Sequence, residues 1–251
     1  MESVGDCEPT VLDIQTPKGQ ARAHLTCPDG LARGLLIMGH GAGGGVDTAD
    51  LGAACRAGQH ADLVVALVEQ PYRVAGRKAP PPIASAGVAW VSVVAQVRAM
   101  HPDGLLVVGG RSFGGRVACR TSLETKADAV LCLAFPLVAP SGSDRSGELQ
   151  GVEVPVLVVQ GRSDPFGMPS QAPARDVVAV EGDHSLRKEA GRRGRRRCLA
   201  PGAHRSSLSV ETWPHGVICV PRESCANVLY APDAAAHKGK CRQCMRTWLS
   251  W

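Results

Sequence analysis

Ser112 lies at the centre of Val107-Val108-Gly109-Gly110-Arg111-Ser112-Phe113-Gly114-Gly115, an apolar run, a glycine-rich turn and the start of a helix-like segment. Within it Gly110, Ser112 and Gly114 form Gly-x-Ser-x-Gly. A sharp strand-to-helix turn forces the serine into a strained backbone conformation, and only small residues two positions before and after let the chain pass. The hydroxyl then stands above the sheet, and the helix behind it offers free N–H groups and a positive dipole end to a developing oxyanion.

A serine hydroxyl is a weak nucleophile at neutral pH, so this chemistry requires a base, an acid to orient it and oxyanion donors. Asp164 follows the apolar run Val156 to Val159, in Gly161-Arg162-Ser163-Asp164-Pro165-Phe166. His184 follows Val177 to Val180, in Glu181-Gly182-Asp183-His184-Ser185-Leu186. Each therefore falls just beyond a strand's carboxyl end, where open α/β sheets gather functional groups. The reading is Ser112 as nucleophile, His184 as base and Asp164 as acid. Asp183 is a weaker rival for the acid, because its side chain tends to diverge from that of the adjacent histidine. The turn Met38-Gly39-His40-Gly41-Ala42-Gly43-Gly44-Gly45 leaves an earlier apolar run, and His-Gly-x-Gly suits an oxyanion turn. The predicted donors are the backbone N–H groups of Ala42 and Phe113. The same turn lacks the Gly-Lys-Ser/Thr ending of a P-loop and the spacing of a dinucleotide fingerprint, which sets nucleotide binding aside.

Positioning these groups takes an alternating β/α chain with a largely parallel sheet. Continuous apolar runs at 34–38, 63–68, 105–109, 129–134 and 154–159 read as buried parallel strands. Val11 to Gln15 and Ala21 to Leu25 suit a leading antiparallel pair, Val177 to Val180 a last short strand, and helices are expected at about 48–60, 84–100 and 114–126. Ala79-Pro80-Pro81-Pro82 and Ala139 to Ser143 read as loops. The loop after the second buried run carries Tyr72, Arg73, Arg77 and Lys78, and with His40 the residues Tyr72 and Arg73 are candidate substrate contacts. The segment between Ala134 and Val154 leaves little room for a large lid, so an open site for small or extended substrates is expected.

Over roughly residues 10–186 the sequence resembles the α/β-hydrolase superfamily, and within it the small dienelactone-hydrolase-like branch. The resemblance rests on Gly39-His40-Gly41-Ala42-Gly43, Glu69-Gln70-Pro71-Tyr72-Arg73, Gly110-Arg111-Ser112-Phe113-Gly114-Gly115, Gly161-Arg162-Ser163-Asp164-Pro165 and Gly182-Asp183-His184. It implies a serine hydrolase that passes through an acyl-enzyme, with Ser112 attacking, His184 shuttling the proton and Asp164 holding the imidazole tautomer. It implies no cofactor, and no metal is assigned to the site. The expected substrate is a small ester or thioester. The branch also resembles a subunit of the animal NSL chromatin complex in which the fold is held to serve as a scaffold, so a non-catalytic binding module is the alternative. Dienelactone hydrolases proper use a cysteine nucleophile where this chain has Ser112. Two further departures stand out: only 19 residues, rich in Pro and Ala, separate Asp164 from His184, and a dense Arg run replaces the family's last helix.

The 251 residues carry a net charge of +5, unevenly distributed. Residues 1–186 have 15 Lys and Arg against 19 Asp and Glu, whereas residues 187–251 have 13 against 4. The domain division expected is 1–186 for the hydrolase-like unit and 187–251 for a basic tail, disordered or an aberrant extension. The tail also holds three of the four Trp and five of the ten Cys. Its Arg cluster suggests attraction to nucleic-acid phosphate only weakly, without interleaved aromatics or a recognisable module. Cys225, His237, Cys241 and Cys244 raise a zinc reading through one Cys-x-x-Cys pair, which is weaker than the reading of free thiols. The acidic start and the lack of a long apolar run predict a cytoplasmic chain with reduced cysteines and no membrane partner.

Overall fold

A computed structural model describes residues 10–187 together with 210–213 and 216–219. Strands β1 (Thr10–Thr16), β2 (Gly19–Thr26), β3 (Gly34–Gly39), β4 (Leu63–Glu69), β5 (Leu105–Arg111), β6 (Ala129–Leu133), β7 (Val156–Gly161) and β8 (Arg175–Val180) form one sheet. Its order is β1-β2-β4-β3-β5-β6-β7-β8. Only β2 runs against its neighbours, pairing antiparallel with β1 and β4, and the other pairings are parallel. The expected leading antiparallel pair, the five buried strands and the short last strand are all present.

The apolar runs become strands because each residue has an apolar layer to enter, whichever face it points to. Every residue of β3 and of β7 is buried. Along β3 the alternation of strand side chains sends Leu35 and Ile37 into one layer and Leu36 and Met38 into the other. The first layer is closed by α3 (Ile83–Met100) and α4 (Phe113–Thr121), through Trp90, Val93, Val97 and Val117. The second is closed by α1 (Ala49–His60), through Leu51 and Ala54. Helix α3 is long and apolar enough to cross a membrane by length and composition alone, with mean hydropathy 1.4 over 18 residues. That corrects the expectation that no run reaches this length, yet its buried stripe packs on the sheet as a core helix does.

Other elements depart from the sequence reading. The helix expected to reach residue 126 ends at Thr121, where the Thr121 hydroxyl donates to the Val117 carbonyl and that of Ser122 to the Cys119 carbonyl. Hydroxyls that take backbone acceptors in this way compete with the helical ladder and favour its end. Two short helices, α2 (Pro71–Val74) and α5 (Ser146–Gln150), are too brief to show periodicity. In the tail, β9 (Val210–Trp213) and β10 (Gly216–Cys219) pair antiparallel, where the sequence reading expected no regular structure. Their β-branched and aromatic residues favour the extended state. The Arg run and the Cys225, His237, Cys241 and Cys244 group lie outside the described residues. Cys27 is disulfide-bonded, contrary to the expectation of reduced cysteines, whereas Cys55, Cys119 and Cys132 are free.

Candidate active site

The groups singled out from the sequence meet at the carboxyl ends of the parallel strands. Ser112 follows β5 with φ +49° and ψ −105°, a strained conformation for a residue with a side chain. It is locked there by its N–H bond to the Leu133 carbonyl at 2.8 Å and by the Arg116 N–H donating to its own carbonyl at 3.1 Å. The flanking glycines are explained by contact. A Cβ on Gly110 would lie 2.5 Å from the Gly39 carbonyl oxygen, and one on Gly114 would run into that same oxygen from the helix side.

His184 and Asp164 complete a chain of hydrogen bonds. His184 Nε2 is 3.0 Å from Ser112 Oγ, and His184 Nδ1 is 2.8 Å from Asp164 Oδ2. Because a carboxylate only accepts, Nδ1 carries the proton, and the Nε2 lone pair faces the serine hydroxyl. This is the arrangement in which an imidazole withdraws the serine proton as a new bond forms. The Asp164 side chain is fully buried. Its Oδ1 accepts from the Phe166 N–H at 2.9 Å, and its Oδ2 also accepts from Gln160 Nε2 at 2.8 Å. Phe166 packs edge-on against the His184 ring, with centroids 4.6 Å apart. Asp183, the rival acid, turns away and accepts from the N–H and hydroxyl of Ser185, which hold its carboxyl below the ordinary value.

The crossover from β7 to β8 contains no helix, yet turns on either side of β8 hold Asp164 and His184 within hydrogen-bond distance. Asp164 N–H closes a turn onto the Gly161 carbonyl, and both the N–H and hydroxyl of Ser163 donate to the Gly182 carbonyl. Leu186 then plugs the second apolar layer two residues beyond the base.

The N–H groups of Ala42 and Phe113 have no acceptor among the described residues. Phe113 is the first residue of α4, where an N–H lacks a helical partner by construction. The turn carrying Ala42 is held from behind. Tyr72 donates its hydroxyl to the Ala42 carbonyl at 2.7 Å, and burial pushes this phenol up to about 12, so it remains a donor. His40 is fully buried; its Nδ1 donates to the Gly41 carbonyl at 2.8 Å and its Nε2 accepts from the Gln70 N–H at 3.1 Å. The structure thus places His40 and Tyr72 in the scaffold of the turn, with their polar atoms already engaged, instead of presenting them to a substrate. Arg73 donates to the Arg77 carbonyl in its own loop, with no hydrogen bond to Ser112, Asp164 or His184.

Burial, above all else, lowers the basicity of His40, with the neighbouring Arg73 charge acting in the same direction. A histidine held neutral in the folded state contributes stability that is complete above its ordinary value of 6.5 and is lost as pH falls below it, because the unfolded chain takes up the proton more readily. The melting temperature of the wild type is therefore expected to fall more steeply between pH 7 and pH 5 than that of His40→Gln. Parallel slopes in the two melting series would count against it.

Three contributing residues escaped the sequence reading. Gln160 is the one polar side chain in the buried strand β7, four residues before Asp164, and that interruption was its available signal. Arg111 and its partner Asp50, 2.7 Å apart, carry no such mark. Among the described residues no group of three or more His, Cys, Asp or Glu is placed to hold a metal ion.

Known proteins share this frame. An α/β-hydrolase serine enzyme without a lid from Xanthomonas campestris matches with TM-score 0.61 and 19% identity, covering 74% of this chain and 89% of that one. Dienelactone hydrolase from Anabaena variabilis matches with TM-score 0.58 and 18% identity over 73% and 90% of the two chains. Est1E from Butyrivibrio proteoclasticus matches with TM-score 0.58 and 14% identity over 70% and 90%. No curated protein matches the chain by sequence. The family model described as "Alpha/beta hydrolase domain" matches residues 32–197, a span that takes in the Gly-rich turn, Ser112, Asp164 and His184, and the chain belongs to that family.

Proposed function

We propose that the protein is a serine hydrolase that acts through an acyl-enzyme on small ester or thioester substrates, in the manner of a carboxylesterase. The observation that carries this reading is the unbroken relay from Asp164 Oδ2 through His184 to Ser112 Oγ, with spacings of 2.8 and 3.0 Å, on a serine strained at a helix N-terminus. Ser112 Oγ attacks the acyl carbon as its proton passes to Nε2. The oxyanion takes its hydrogen bonds from the Ala42 and Phe113 N–H groups, and Asp164 stabilises the imidazolium. Collapse expels the alcohol or thiol, which takes the proton from Nε2. Water, deprotonated by the same nitrogen, then releases the acid and restores Ser112. The neighbours named for serine hydrolase and esterase activity support this reading. So does the β6–β7 connection, which among the described residues carries no helix beyond the five-residue α5.

The test is intact-protein mass spectrometry after incubation with a fluorophosphonate. Wild type is expected to gain one adduct and Ser112→Ala none. Folded wild-type protein that gains no adduct would sink the reading and favour a non-catalytic scaffold.

A further inference from the structure

We propose that Arg111, the residue immediately before the elbow serine, is a positioning residue that sets His184 through its main-chain carbonyl and is itself aimed by Asp50. The inference rests on the reading of Ser112, His184 and Asp164 as the catalytic relay. Arg111 Nη2 donates to the His184 carbonyl at 3.1 Å, and its Nε donates to Asp50 Oδ2 at 2.7 Å. The guanidinium also lies close over the oxyanion turn: a Cβ on Gly41 would come within 2.7 Å of Nη1. One side chain therefore touches all three pieces of chain that must stay in register, namely the elbow it belongs to, the Gly41 turn and the loop that carries the base.

The base loop needs such a tie. It follows a crossover without a helix, and its other anchors include the His184–Asp164 bond, the Ser163 bonds to Gly182, the Phe166 ring, the Leu186 N–H bond to the Asp183 carbonyl and the Leu186 plug. None of these fixes the carbonyl of His184 itself. A planar fork with donors on separate nitrogens reaches a carboxylate and a carbonyl at once, which a lysine ammonium on a flexible stem cannot do with the same geometry. Asp50 is well placed to hold the fork. It is nearly buried, in the first turn of α1, and its Oδ1 accepts the Leu51 N–H at 3.0 Å, so the carboxylate is pinned before it meets Arg111. With its charge matched by Asp50, Arg111 is occupied in aiming the base and is not free to recruit an anionic substrate.

The experiment uses the full chain and two readouts. The first is the rate of Ser112 labelling by a fluorophosphonate in wild type, Arg111→Met, Arg111→Lys and Asp50→Asn, with Arg111→Met repeated in a His184→Ala background. Displacing a catalytic group by a fraction of an ångström to an ångström costs on the order of 10²-fold, and a loss of about that size is expected for Arg111→Met. Arg111→Lys keeps the charge opposite Asp50, so it is expected to keep its melting temperature and still label slowly. In the His184→Ala background Arg111→Met is expected to bring no further loss, because its effect passes through that residue. Arg120→Met, which removes a more exposed arginine from α4, is expected to label like wild type. Equal losses in both backgrounds, or wild-type labelling by Arg111→Met and Arg111→Lys, would overturn the proposal.

The second readout does not depend on turnover. The proton shared by His184 Nδ1 and Asp164 is expected to give a downfield proton resonance in wild type that broadens or disappears in Arg111→Lys. Should wild type fail to label, the hydrolase reading falls while this signal still decides the positioning role. Its persistence in Arg111→Lys, or its absence from wild type, would overturn that role.

Discussion

Asp164→Ala is expected to lower kcat for p-nitrophenyl acetate by about 10⁴-fold with little change in the melting temperature. Removing the acid of a Ser-His-Asp relay has an effect of this order, because the imidazole loses both its tautomer and the charge that stabilises its protonated form. The local structure explains why the fold should tolerate the change. Gln160 Nε2 keeps the Phe135 and Gly167 carbonyls as acceptors at 3.1 and 2.8 Å once the carboxylate is gone, and the donors left without it are the Phe166 N–H and the His184 Nδ1–H, the second of which can shift to the other tautomer. Steady-state kinetics with thermal melting separates chemistry from folding. A variant that retains a tenth of wild-type kcat would show that Asp164 is not the orienting acid.

The largest effect on stability is expected at Trp90. This residue is 1% exposed on α3, and its ring approaches Gly39 so closely that a Cβ there would lie 3.3 Å from it. Trp90→Ala opens a cavity between α3 and β3, the strand that leads into the Gly41 turn, at a cost of about 3–5 kcal/mol. For a chain of this size each kcal/mol moves the melting temperature by roughly 2–4 °C. Trp90→Phe should cost less than half as much. The indole Nε1 is buried with no hydrogen-bond partner among the described residues, and phenylalanine removes that unpaired donor along with the extra volume. Differential scanning calorimetry of the two variants checks this, and equal losses would argue against an unsatisfied indole.

The sequence made the strands and the relay readable for the same reason. A buried parallel strand must be apolar on both faces, and chemistry in such a sheet must leave from its carboxyl ends, so each apolar run also pointed to the loop worth reading. Ser112, Asp164 and His184 were visible because each follows such a run. What stayed hidden depends on distances in space. His40 and Tyr72 sit beside chemistry-bearing loops in sequence, and nothing local shows that Gln70 and the Ala42 carbonyl already occupy their polar atoms. Arg111 and Asp50 are 61 positions apart, and His184 is 73 beyond Arg111, so no periodicity could have joined them. The short helices α2 and α5 span four and five residues, too few to repeat a helical pattern.

The missing helix between β7 and β8 divides the molecule into parts of unequal rigidity. Ser112 and the Gly41 turn follow β5 and β3, inside the sheet, whereas His184 follows β8, the strand at its edge, beyond a crossover built of turns alone. Segments of that kind open with a smaller free energy than the core they leave behind. Two thresholds are therefore expected, one for the loop that carries His184 and one for the sheet. Under mild stress the loop that carries His184 is expected to part from Ser112 before the sheet itself opens.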